Sequence, residues 1–536
     1  MTDKKKRVRG PVEIAHGRQM LVSATVGIGA GVGAIVFYVM LQFVTGIVQC
    51  KVIGYAAPEA LGEPPLFAFA MTRFHPWLLI VMPALGALLS GLIVARYAPE
   101  AAGHGTDAAI RAYHWFGGKV RTSVPPVKAI SAALTIGSGG SGGREGPIAQ
   151  IGAGIGYVLA RRLGLSEKET RIAMASGMAA GVGAIFRAPL AGALFGGEIM
   201  YRSADLEPEL LLPCIVASIS GYSVFSAVMG SEPLFRVPAD LAFSSPLELI
   251  PYTILGFVAA AIGILYVRVF YAVHHRCQKI TAIPLWAVAA LGGLATGIVA
   301  YFRPGAAFTG YGGVQQALLG HLSAMHLLQL ALLRIVTTTC SIGSGGSGGV
   351  FGPSIVLGGC LGGAVGMACH QLWPGLVPDP AAFVLVGMAG LFGGIAHAPI
   401  STIIMVSEMT GSYRLLVPSM WVCAIAFVLT RGVSLYTEQV AHRGMSGAHS
   451  GEHARVFLED QLVTNFLVVD HPAVGAAPPP EAPCLDMAAT LLDAAALFGP
   501  DLVERIFVVN LADGKVTGVL TRHAFIAAHL RAIGAA

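Results

Sequence analysis

The sequence predicts an all-α polytopic membrane protein made of two repeated halves, followed by a small C-terminal α/β module. Three observations carry that prediction. Of the 536 residues, 55% are hydrophobic and 12% charged, against a charged share of about 25% in soluble domains; the mean hydropathy is +0.70. Residues 20–50, 76–95, 210–231, 249–267, 280–302 and 335–378 contain no Asp, Glu, Lys or Arg, and about 20 apolar residues suffice to span a bilayer. Finally, residues 137–147, GSGGSGGREGP, return 206 positions later at residues 343–353 as GSGGSGGVFGP.

Lys4, Lys5, Lys6, Arg7 and Arg9 precede the first apolar window, which puts the N-terminus in the cytoplasm by the positive-inside tendency. That window is too long for a signal peptide and lacks a small-residue cleavage pattern. As one helix it would measure about 45 Å, so it should tilt or extend beyond the bilayer. Its GIGAGVGA run at residues 27–34 supplies small residues for close helix contact. Residues 58–65 read as a loop, 76–95 as a second span, and 96–128 mostly as a solvated connection.

Residues 129–136 and 148–160 flank the first glycine loop, and neither spans a bilayer alone. They read as half-helices entering the membrane, where irregular backbone is tolerated only if it is buried in protein or lines a cavity. Gly152 and Gly156 give the second a GxxxG packing face. Residues 172–186 lie between Arg171 and Arg187, and Pro189 opens a segment carrying Glu198 near its end. Spans at 210–231 and 249–267 follow, with a proline-containing loop at 233–246 between them. The second half then repeats the first: Gly177-Met178-Ala179 returns as Gly387-Met388-Ala389, Ala188-Pro189 as Ala398-Pro399, and Glu198 as Glu408, each 210 positions on. Repeats of this length, about 17–230 and 250–440, are typical of transporter folds.

Residues 415–430 form the last apolar piece. After Glu438 the composition turns polar, and residues 505–523, RIFVVNLADGKVTGVLTRH, read as strand, Asp-Gly turn and strand, with 525–532 suited to a helix. A small soluble module at about 441–536 is expected in the cytoplasm. The eight cysteines contain no CxxC pair and read as apolar packers, so no metal site is expected. The net charge of +5 is small for this length and argues against a nucleic-acid partner.

The chemistry concentrates in the glycine loops. Each ends in a proline suited to a helix start, where free N–H groups sit at the positive end of a macrodipole. Two such loops make an anion site built from both halves. Glu145 stands at the mouth of the first. Its carboxylate can occupy the anion site as a tethered competitor and vacate it on protonation, which makes a gate; the plainer role is to complement the helix dipole. Neither loop has the Lys-Ser/Thr ending of a nucleotide-binding P-loop, so a membrane-bound nucleotide enzyme is disfavoured. A cation or organic-solute symporter would have to rely on Glu145, Glu198 and Glu408.

GREGP at residues 143–147 is similar to the signature of the CLC chloride channels and proton/chloride antiporters. GVFGP at 349–353 resembles that family's second loop, and APLAG at 188–192 and EMTG at 408–411 fit its other signatures, so the resemblance spans about residues 17–440. It implies a homodimer of inverted-repeat subunits, rich in tilted and re-entrant helices, in which each subunit has its own anion path and both termini are cytoplasmic. Carried over, backbone N–H groups of Arg144, Glu145, Gly146, Val350 and Phe351 bind the anion, and Tyr436 completes the site. The family's serine position is His104 here, an imidazole that can donate to an anion and also become charged. The antiporters' internal proton-relay glutamate is Ile199 here, next to Glu198. That loss makes an anion conduit with weak or absent proton coupling the first expectation and a proton-coupled chloride antiporter the alternative. The tail resembles a single CBS domain, which leaves nucleotide binding there open; no other cofactor is expected.

Overall fold

The computed structural model describes residues 11–449, 458, 461–480, 482–498 and 503–532, with side chains described from residue 17 onward except at 496 and 529–532. The basic residues before Pro11 lie outside the described residues. The chain divides into two compact units, Met1–Ala441 and His442–Ala536.

Sixteen α-helices are described in the first unit, and they fall into two matching sets of eight. The first set is α1 (Pro11–Gly46), α2 (Leu78–Tyr97), α3 (Thr106–Trp115), α4 (Val124–Gly137), α5 (Glu145–Arg162), α6 (Glu167–Ile185), α7 (Pro189–Glu198) and α8 (Pro208–Met229). The second is α9 (Leu249–Gln278), α10 (Leu285–Phe302), α11 (Tyr311–Leu318), α12 (Ala324–Thr338), α13 (Phe351–Leu372), α14 (Ala381–Ala396), α15 (Pro399–Thr410) and α16 (Leu416–Leu429). Seven helical segments among the described residues are long and apolar enough to cross a membrane. Corresponding pairs pack alike: α5 on α6 and α13 on α14, α6 on α8 and α14 on α16, α1 on α8 and α9 on α16.

The packing follows from small residues at matched positions. A Cβ on Gly152 or Gly156 would strike the backbone of α6 at Gly177 and Ala173; one on Gly358 or Gly362 would strike α14 at Gly387 and Phe383. The expected GxxxG face therefore exists and recurs in the second half. Gly27 and Gly31 meet α8 in the same way, at Ala217 and Gly221. Helices α6 and α14 form the buried centre: α14 is covered throughout and α6 from Ile172 to Ile185, as helix segments apolar on all sides must be.

Three expectations need correction. Residues 96–128 are not a solvated connection: they fold into α3 and the start of α4, with His104, His114 and Lys128 buried, because the loop is folded back against the glycine loops. Helix α5 starts at Glu145 and takes in all of the first signature's end. Helix α6 starts earlier than the uncharged window, at a capping box in which Ser166 Oγ accepts from Glu169 N and Glu169 accepts from Ser166 N.

The second unit holds a three-stranded sheet of β1 (Cys484–Asp486), β2 (Arg505–Asn510) and β3 (Lys515–Thr521) in that order. β1 and β2 are parallel and joined through α17 (Leu491–Leu497); β2 and β3 are antiparallel across the Asp513-Gly514 turn, and α18 (Arg522–Ala532) follows. Val463, Leu491, Ile506, Val508 and Leu520 form its core. The strand–turn–strand–helix reading holds; β1 is too short to carry an alternating pattern in the sequence.

Candidate functional site

The two glycine loops meet. Gly143 N donates to Gly349 O at 2.7 Å, and Gly349 N donates to Gly143 O at 2.6 Å. This mutual pair sets the starts of α5 and α13 side by side, with Arg144 and Val350 as their N-cap residues. Pro147 and Pro353 are the third helical residues, not the first as expected. The first turn has no intrahelical acceptors for its N–H groups, so proline costs no hydrogen bond there.

Glu145 is 2% exposed. One carboxylate oxygen accepts the Tyr311 hydroxyl, and the other accepts Gly352 N–H at 3.1 Å. The acid of the first half therefore rests on the helix start of the second. A Cβ on Gly143 would strike that carboxylate, and one on Gly352 would lie 2.8 Å from both Glu145 Oε1 and the Tyr311 hydroxyl. Only glycine leaves room at these two positions.

Tyr311 and Gly352 were not among the sequence candidates. The repeat relates the two segments without singling out Tyr311: His104-Gly105-Thr106 at the start of α3 corresponds to Thr309-Gly310-Tyr311 at the start of α11, 205 positions on, which sets Tyr311 opposite Thr106 and the candidate His104 opposite Thr309. Val350 and Phe351 are where the resemblance put them, at the mouth of α13. The Phe351 ring packs 4.1 Å from Phe392 and 5.0 Å from Phe186, between ring centroids. Gly146 packs against Gly349 on one side and the His104 carbonyl on the other.

The Arg144 side chain turns away from the loops. It pairs with Glu63 at 2.6 Å, and its guanidinium lies 5.4 Å from the Tyr38 and Tyr311 ring centroids. A narrow cavity of about 30 Å³ lies on this side, lined in part by Glu59, Glu63, Arg144 and Tyr311.

On the opposite side lies a cavity of about 750 Å³, lined by His104, Arg111, Lys119, Arg121 and His274 among others. His104, 8% exposed, precedes α3 in a loop pinned by the buried Lys128, whose Nζ donates to Ala101 O at 3.0 Å and Gly103 O at 2.7 Å. His104 Nε2 is 3.3 Å from Asp107 Oδ2. The same carboxylate accepts from Thr437 N, Thr437 Oγ1 and Glu438 N at 3.3, 2.9 and 3.3 Å. Tyr436, fully buried, is placed by Leu435, whose N–H donates to Ile395 O at 2.8 Å and whose carbonyl accepts from the Tyr271 hydroxyl at 2.7 Å. The His104 and Tyr436 rings are 5.6 Å apart. His104 Nδ1 is buried without a hydrogen-bond partner among the described residues, a rare condition for such an atom; the buried Tyr436 Oη has the Thr106 side chain beside it.

Glu198 accepts from Ile400 N and Ser401 N at 2.9 and 2.7 Å, at the start of α15. Glu408 accepts from Leu190 N and Ala191 N at 3.2 and 2.8 Å, at the start of α7. Each repeat's acid caps the other repeat's helix, which gives both a structural role. Ile199, 0% exposed, follows as the C-cap of α7, and its carbonyl accepts from Gln439 Nε2 at 3.0 Å.

Comparison with known proteins agrees with this architecture. An H(+)/Cl(−) exchange transporter ClcA of Salmonella paratyphi A is 32% identical over 416 residues, 75% of this chain and 86% of that protein. A putative chloride channel protein ClcB-like of Ralstonia nicotianae is 31% identical over 384 residues, 69% of this chain and 88% of that one. Among solved structures, a slow cyanobacterial Cl−/H+ antiporter superposes with a TM-score of 0.67 at 23% identity, over 77% of this chain and 94% of that chain. A CLC-type fluoride/proton antiporter does so with a TM-score of 0.68 at 19% identity, over 81% and 100%. Residues 86–431 match the family described as voltage gated chloride channel. The chain is a multi-pass integral membrane protein and belongs to the CLC family of anion channels and transporters.

Proposed function

We propose that this protein is a proton-coupled anion exchanger of the CLC type, with chloride as the anion and Glu145 as the gate. The observation that carries the reading is the Glu145 carboxylate seated on the Gly352 N–H of the facing helix start. A carboxylate held there marks a place where a small anion would be held, and protonation of Glu145 would free it. The anion then runs from the narrow cavity beside Arg144, past the N–H groups of Arg144, Glu145, Gly146, Val350, Phe351 and Gly352, to His104 and Tyr436 at the wide cavity. The loss of a carboxylate at Ile199 favours an uncoupled conduit on the sequence. The exchange transporters and antiporters among the similar proteins support the alternative, and we adopt it.

The reading includes inverted repeats. The narrow cavity gathers the C-terminal end of α1 with residues just past α10; the wide one gathers the end of α9 with residues just past α2. The corresponding helices α1 and α9 therefore run in opposite senses, and the reciprocal Glu198 and Glu408 caps support the same two-fold relation. With the N-terminus cytoplasmic, the wide cavity is the cytoplasmic vestibule. A homodimer, a cytoplasmic CBS-like tail at about 441–536 with an open question of nucleotide binding, and no other cofactor complete the proposal. It is tested by imposing a chloride gradient on proteoliposomes: uphill proton movement is expected, and chloride flux with no proton movement would return the protein to the conduit reading.

A further inference from the structure

The Ser-to-His departure at position 104 has a chemical consequence set by its neighbour. Asp107, ionised, can only accept hydrogen bonds, and it already accepts three from Thr437 and Glu438. Its contact with His104 Nε2 at 3.3 Å therefore requires the proton to be on Nε2. Neutral His104 then carries its lone pair on Nδ1, the buried atom with no partner. A lone pair repels an anion; an N–H attracts one. We propose that His104 binds the transported anion only as the imidazolium, so that each anion reaching the inner site takes up one proton at Nδ1 from the aqueous vestibule. This rests on the anion-path reading above.

The step is balanced. One N–H bond forms at Nδ1 with a proton drawn from water, and the lone pair there becomes the bond. The neutral imidazole, the proton and the monovalent anion sum to an occupied site with no added charge. That matters at this burial, where an unpaired anion is costly. Tyr436 Oη supplies the second donor, and its ring stands 5.6 Å from that of His104. Of the other titratable or charged groups on this side, Arg111, Lys119, Arg121 and His275 line the same cavity. Lys128 on α4 is held by two carbonyls. Tyr271 on α9 donates to Leu435 O, and His274 Nδ1 on the same helix is 3.0 Å from Gly343 O. Glu438 meets Asp107 through its backbone. Asp107 alone sets the tautomer. The arrangement places a proton-binding group on the cytoplasmic side of the path in a chain whose position 199 is an isoleucine.

Glu145 also links protons to anions, so the test removes it. Chloride binding to purified Glu145→Gln protein is measured by titration calorimetry in two buffers of different ionisation enthalpy. Uptake of close to one proton per chloride is expected wherever the unliganded His104 is neutral, with affinity falling about tenfold per pH unit over that range. Glu145→Gln/His104→Ser should bind chloride with no proton uptake and a flat pH profile. Asp107→Asn in the Glu145→Gln background should weaken the linkage while keeping the imidazole, because an amide can donate to Nε2 and release the other tautomer. A pH-independent chloride affinity in Glu145→Gln, or equal proton uptake with and without His104, would overturn the proposal. No chloride binding at any pH would overturn the anion site on which it rests. Because the readout is equilibrium binding, failure of proton-coupled transport in proteoliposomes would refute exchange and leave this linkage standing.

Discussion

Removing the Tyr311 hydroxyl is the sharpest perturbation of the gate. In the closed arrangement Glu145 is held by two donors, the Tyr311 hydroxyl and Gly352 N–H. Tyr311→Phe deletes the first and leaves the ring contacts with Arg144 and Phe235 in place. A hydrogen bond to a charged group contributes about 1.5–3 kcal/mol, and about 1.4 kcal/mol corresponds to tenfold in an equilibrium. The seated, ionised carboxylate should therefore lose about ten- to hundredfold in population relative to the open form. In the proposed mechanism acid opens the gate by neutralising that carboxylate, so destabilising the ionised seat moves acid activation of chloride efflux towards higher pH, by about one to two units. The assay is chloride efflux from proteoliposomes across a pH series. Glu145→Gln should be insensitive to pH, and Tyr311→Phe should add nothing to it. A Tyr311→Phe profile that overlays the wild type, or an effect that persists in Glu145→Gln, would refute the gate as drawn.

Other substitutions test the frame around the gate. Glu198→Ala leaves one buried and one half-buried N–H group of α15 without an acceptor and should cost about 2–6 kcal/mol of stability, at about 1–3 kcal/mol per group; Glu408→Ala should cost less, because its site on α7 is more exposed. Both are read from thermal unfolding in detergent, and a Glu198→Ala protein as stable as the wild type would remove the capping argument. His104→Ser should change the relative permeability of chloride, nitrate and fluoride in bilayer reversal potentials; unchanged ratios would place His104 off the path. Deletion from His442 onward should leave chloride flux measurable, since every proposed anion contact lies upstream. Loss of flux in a truncated protein that still folds would tie the tail to transport.

Much of the architecture was legible because it was written twice. The offsets of 206 and 210 tie together segments that no local propensity relates, and the same offsets recur in the glycine contacts of α5 with α6 and α13 with α14. Glu145, Val350, Phe351 and Tyr436 were legible through short motifs. The fold around His104 was not, because residues 96–128 are polar in composition and polarity normally means solvent. Here Lys128 is buried to hold two carbonyls of that loop, and the half-buried Asp107 holds the Tyr436 segment. These are long-range pairings, with Asp107 and Thr437 separated by 330 positions, and composition carries no trace of them.

Tyr311 shows a different limit. Its hydroxyl reaches Glu145 across 166 positions, and within its own helix it is one aromatic residue in a short amphipathic turn. Its importance appears only in the folded chain, where it meets Glu145. The start of α3 carries His104 beside one cavity, and the start of α11 carries Tyr311 beside the other. Aligned by the repeat, His104 falls on Thr309 and Tyr311 on Thr106, so the two side chains occupy different positions of the same helix-start segment. One is a hydroxyl that donates to a fixed carboxylate; the other is an imidazole whose free nitrogen must gain a proton before it can donate to an anion. The duplication thus supplies a symmetric frame. The chemistry differs between its two mouths because these two side chains do, and that difference can let protons enter the path differently from each side.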